Sequence, residues 1–68
     1  MPEVSTIDAA RILGTSDTTV RKHVDEGRLS ARREGLRGRI RIDVELLREF
    51  AEQYQYRFDE GLAAEVAQ

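Results

Sequence analysis

Arg21 and Lys22 stand side by side in the stretch LGTSDTTVRKHVDEGRL, Leu13 to Leu29, three residues after Thr18, and six more arginines follow: Arg28, Arg32, Arg33, Arg37, Arg39 and Arg41. Within residues 15–42 these eight cations meet four acids, Asp17, Asp25, Glu26 and Glu34, so the segment carries +4 in a chain of net charge −2. The flanks are acidic, residues 1–14 carrying −1 and residues 43–68 carrying −5. That asymmetry is more informative than the total. A guanidinium is a planar fork of donors and an ammonium a mobile point charge, so the chemistry concentrated here is the holding of anions.

Residue types that transform substrates are sparse by comparison. The chain has one histidine, His23, and no cysteine, which removes both a thiolate metal site and a disulfide. Ser5, Ser16 and Ser30 lack the partners of a Ser-His-Asp arrangement, and the glycines match no phosphate loop. His23 falls on the inner side of its helix and reads as a packed core histidine. No catalysis, metal or cofactor is expected.

The elements that must position the cations follow from caps and periodicity. Ser5 with Asp8 three residues on resembles a capping box and starts a helix at about Thr6, whose inner side takes Ile7, Ala9, Ala10, Ile12 and Leu13. Gly14 ends it, Ser16 caps a second helix over Asp17 to Glu26, and Gly27 stops that one. At about 100° per residue the second helix turns Val20, His23 and Val24 inward and Thr18, Arg21, Lys22, Asp25 and Glu26 outward. Two helices this short, joined by a tight turn, are stable only when packed together, with Ala10 small enough to let them approach.

After Gly27 the period becomes two: Leu29 and Ala31 alternate with Arg28, Ser30 and Arg32, and Ile40 and Ile42 alternate with Arg39 and Arg41. EGLRG between them reads as a turn, giving a β-hairpin with Arg39 and Arg41 on its outer face, Arg32 beside them and Arg37 near the tip. Asp43 caps a third helix, expected to run to about Tyr56, on whose stripe lie Val44, Leu46, Leu47, Phe50, Ala51, Tyr54 and Phe58. Beyond it Gly61 reads as a helix breaker, with an Ala-rich piece after it. The expected class is mostly α with a small β-hairpin, over residues 1–56. Residues 57–68 are left as a C-terminal extension, a helical turn, an interaction segment or a disordered tail.

Sixty-eight residues make one domain with a small core and no room for a deep cleft. The N-terminal MPEVSTIDAARIL has no signal-like design, and no apolar run approaches the roughly 20 residues of a membrane span, so a cytoplasmic protein without membrane association is expected.

The string VSTIDAARILGTSDTTVRKHVDEGRLSARREGLRGRIRI, Val4 to Ile42, resembles the small winged helix-turn-helix domains of the MerR and phage-excisionase superfamily. The likeness rests on Leu13-Gly14-x-Ser16-x-x-Thr19-Val20-Arg21, then Glu26-Gly27-x-Leu29, a basic hairpin and the Asp43-capped helix. His23 stands where such domains often carry an aromatic residue. The long coiled coil and effector domain of full MerR regulators are absent from these residues, so drug or metal sensing is not expected.

The resemblance implies binding to double-stranded DNA, with the second helix in the major groove and the wing on the backbone or in the adjacent minor groove. Arg21 is then the candidate for a guanine edge, Thr18 for a thymine methyl or a phosphate, and Lys22 for the backbone. Thr15 and Ser16 offer hydroxyls and amides to a phosphate at the helix start. Arg37 and Arg39 suit a narrowed minor groove, and Arg28, Arg32 and Arg41 complete the expected contact set. A transcription regulator or an excisionase-like architectural factor fits this pattern, acting as a homodimer or cooperative assembly on DNA. The alternative is a protein-interaction module whose acidic, aromatic C-terminal helix engages a partner such as a toxin, an integrase or a polymerase subunit.

Overall fold

The computed structural model describes residues 2–67. The ends of the two expected segments, Met1 and Gln68, lie outside the described residues. Two helices open the fold. In α1, Thr6–Leu13, the Asp8 amide donates to Ser5 Oγ at 3.2 Å. Gly14 then turns the chain at φ 73°, where the Gly14 and Thr15 amides donate back to Arg11 and Ala10. That double closure leaves few orphan carbonyls at the helix end. In α2, Asp17–Asp25, Ser16 Oγ accepts from the Thr19 amide at 3.2 Å. Ala9, Ala10 and Leu13 of α1 and Val20 of α2 are all buried where the helices meet.

Ile7 departs from expectation, being 58% exposed while Thr6 is buried in its place. On the helical wheel Ile7 lies beside Arg11, at the edge of the apolar side, and the sheet covers Thr6 instead.

The wing carries one strand more than its sequence pattern shows. Glu3–Val4, β1, pairs antiparallel with Arg39–Asp43, β3, which also pairs with Arg32–Glu34, β2, in the order β1-β3-β2. β2 starts at Arg32 rather than near Leu29, because the Leu29 amide donates to the His23 carbonyl and belongs to the end of α2. Ala31, expected on the apolar face, is consequently exposed. The register sets Arg32 opposite Arg41 and Glu34 opposite Arg39, so these four share the outer face with Glu3 and Asp43, while Val4 and Ile42 are buried beneath.

α3, Val44–Tyr54, begins where Asp43 Oδ1 accepts from the Glu45 amide at 2.8 Å. Val44, Leu47, Phe50 and Ala51 close the core, but Leu46 is 43% exposed. The helix stops short of Tyr56: Gln55 adopts φ 61°, and the Tyr56 amide returns to the Ala51 carbonyl. Phe58 therefore lies in the following loop rather than on the stripe. Beyond it, Glu60–Val66 form α4, capped by Asp59, whose amide donates to the Ile12 carbonyl at 3.1 Å. Gly61 sits in the first turn of α4 and does not break it. α4 packs on α1 with Ala63 buried, and Arg48 holds it through both oxygens of Glu60 and across the Phe58 ring. Among the described residues no helix is long and apolar enough to cross a membrane.

Candidate nucleic-acid interface

A groove runs between the start of α1, the outer side of α2 and strand β3, lined by Thr6, Ile7, Arg21, Arg39, Ile40 and Arg41. It continues toward the hairpin turn past Arg33 and Arg37. The fold thus brings Arg21 and Arg39 together with Arg41 in one concavity and with Arg37 in the adjoining one, although α2 and the wing come from different stretches of sequence. Thr18 and Lys22 are exposed on α2 nearby, and Thr15 and Ser16 stand at its start.

Ion pairing divides the cations into two groups. Among the described residues Lys22, Arg37, Arg39, Arg41 and Arg57 form no salt bridge. Arg21 Nε lies 3.2 Å from Asp17 Oδ2, one turn back on α2, with its side chain 59% exposed. A pair so exposed contributes at most about 1 kcal/mol, less than the roughly 1–3 kcal/mol of a bidentate guanine contact, so Asp17 orients Arg21 without withholding it.

Arg32 and Arg28 are occupied. Arg32 reaches both oxygens of Glu3 at 2.6 Å and Glu34 at 2.8 Å, tying β1 to β2 across β3. Those hydrogen bonds, with the charge of Arg41 added, hold the Glu3 carboxyl below its ordinary range. Arg28 pairs with Glu26 and donates from Nε to His23 Nδ1 at 2.9 Å. Arg33, on the inner face of β2, reaches Asp25 at the end of α2 at 3.4 Å and so ties the wing to that helix.

His23 acts as a seat for α2. Its ring lies 4.9 Å from that of Phe50 and 5.8 Å from that of Tyr56, and Nε2 is 3.0 Å from the Tyr56 hydroxyl. Because Nδ1 accepts from Arg28, the neutral ring carries its proton on Nε2 and donates it to Tyr56. Burial first, then the Arg28 charge, lowers the pKa of His23.

Two residues beside this face escape sequence reasoning. Arg57 lies across the α1–α2 turn, its Nε 2.6 Å from where a Cβ on Gly14 would stand. Nothing in the pattern announces that placement, which depends on the reversal at Gln55. Ile7 was legible in principle, since its wheel position beside Arg11 argues for the surface.

Two helices joined through a tight turn, a basic antiparallel wing and a covering helix define a winged helix-turn-helix domain. Residues 4–55, well over half of the chain, match the helix-turn-helix domain family, and the chain belongs to it. Comparison with curated proteins and with solved structures finds no match in either. Family membership supports DNA as a partner of the domain.

Proposed function

We propose that this protein binds duplex DNA sequence-specifically, with α2 in the major groove and the wing on the backbone or in the adjacent minor groove, as a transcription regulator or an excisionase-like architectural factor. The observation that carries this reading is that Arg21 of α2 opens onto the same groove as Arg39 and Arg41 of β3. A cation on the recognition helix and cations on the wing then meet neighbouring parts of one duplex. Thr18 and Lys22 flank Arg21, Thr15 and Ser16 meet the backbone at the start of α2, and Arg37 enters with the wing. Arg28 and Arg32 serve the interface by fixing His23 and the sheet.

A single module reads few base pairs, so useful specificity calls for a second copy on a repeated half-site. What weighs against a protein partner at the acidic, aromatic helix α3 is that Phe50 is buried in the core and Tyr56 just beyond it packs on Phe50 and His23.

The test is a titration of wild type and Arg21→Ala with a random duplex and with a duplex selected from a random pool, each at two salt concentrations. Affinity for both duplexes is expected to fall steeply with salt. Arg21→Ala is expected to lose about 1–3 kcal/mol on the selected duplex and much less on the random one. Binding indifferent to salt, or an equal loss on both duplexes, sinks the sequence-specific reading.

A further inference from the structure

Leu36 is the most exposed large apolar side chain among the described residues, at 108%, so it contributes no burial to the fold. It and Arg37 are the two central residues of the wing turn, closed by the Gly38 amide donating to the Gly35 carbonyl at 3.1 Å. Arg33 braces the turn from beneath by reaching the Gly38 carbonyl at 3.4 Å. The tip therefore holds one aliphatic and one cationic side chain outward on a pinned corner, with the unpaired Arg39 just behind.

A surface that suits this tip must be anionic at its rim and apolar a few ångströms deeper. The minor groove of a duplex has that profile: phosphates flank it, sugars form its walls and base faces lie between its steps. Leucine is among the side chains that wedge between base steps from the minor groove, and such insertion kinks the duplex toward the major groove.

We propose that Leu36 is a DNA wedge: the wing tip enters the minor groove beside the site of α2, Arg37 and Arg39 meet its phosphate walls, and Leu36 partly unstacks one base step and bends the duplex. This rests on the DNA-binding reading above and deepens it. Because pyrimidine–purine steps unstack most readily, TA or CA/TG is the expected sequence beneath the tip, a preference that arises without a hydrogen bond to a base.

The experiment uses the selected duplex with a fluorophore pair at its ends, and a second version carrying 2-aminopurine at successive steps on the wing side. Wild type is expected to bend the duplex by about 20° or more and to brighten 2-aminopurine at one step. Leu36→Ala, a change at a side chain that supports no packing, is expected to keep the wild-type melting temperature and the same dependence of affinity on salt, which counts phosphates. It loses the bend and the fluorescence rise. A bend of equal size with Leu36→Ala, or a bound duplex that stays straight and dark with wild type, overturns the wedge while leaving DNA binding intact. Absence of salt-sensitive duplex binding by wild type overturns both. Leu36-dependent sedimentation with vesicles of phosphatidylserine and phosphatidylcholine, at salt that preserves duplex binding, reassigns the tip to a lipid surface and also overturns it.

Discussion

Gly14 answers to two constraints at once. Its φ of 73° costs a residue with a Cβ about 1–2 kcal/mol, and that Cβ would meet the Arg57 side chain at 2.6 Å. The arginine is flexible and can withdraw, so the backbone strain sets the size of the effect. Gly14→Ala is expected to destabilise by about 1–2 kcal/mol, which in a domain this small lowers the melting temperature by roughly 5–15 °C. A thermal scan followed by circular dichroism checks it, and a shift under about 2 °C would mean that the turn relaxes to another conformation. Arg21 is the opposite case. Its exposed pair with Asp17 gives the fold little, so Arg21→Ala should leave stability nearly unchanged while damaging recognition.

Between elements, the seam of α2 and α3 is built on His23, and its protonation sets a pH dependence. The folded ring has a lowered pKa against an ordinary value of 6.5. Between the folded value and 6.5 the unfolded chain binds more protons, so the contribution of His23 is complete above about 6.5 and is lost as pH falls through the folded value. Glu3, Glu26 and Glu60, whose values lie below 4.5, act only in stronger acid. Urea midpoints are therefore expected to drop from pH 7.5 to pH 5.5 in wild type and to change much less in His23→Phe. Equal drops in the two proteins would remove His23 from the account. The histidine was legible as a packed residue because its helical position faces inward, but Tyr56 as its partner was not. The same division holds for the elements. Ser5, Ser16 and Asp43 announced three helix starts by local chemistry, and Gly14 and Gly27 announced two ends. β1 is two residues long and exists only because β3 offers an edge, while α3 ends at Gln55 with φ 61°, beyond which Tyr56 packs on Phe50 and His23. Of the candidate interface, the exposure of Thr18, Arg21 and Lys22 on α2 and the arginine alternation of the wing were readable. The ion pairs that occupy Arg28 and Arg32 were not, since they join residues that only the fold brings together.

For the molecule as a whole, the segment beyond the family match decides whether the rest stands. Residues 4–55 match the helix-turn-helix family, yet Tyr56 stacks on Phe50 at 5.6 Å, Ala63 is buried against the core, and Leu62 and Val66 are half-buried beside it. Half-burial of a tyrosine and of two aliphatic side chains, with an alanine fully buried, contributes about 3–5 kcal/mol. Stabilities of small domains begin at about 5 kcal/mol, so that amount is comparable to the whole margin. A chain ending at Gln55 is expected to be largely unfolded at 37 °C, whereas Arg48→Ala, which loses the exposed Glu60 pair and the contact with Phe58, should cost only about 1 kcal/mol. Far-ultraviolet circular dichroism against temperature distinguishes them. A truncated chain that melts cooperatively within about 5 °C of wild type would show that α1, α2, the wing and α3 close their core unaided. Loss of the transition would instead assign α4 and Tyr56 to holding α2 and the wing in one orientation, the condition on which any recognition by Arg21 beside Arg39 and Arg41 depends.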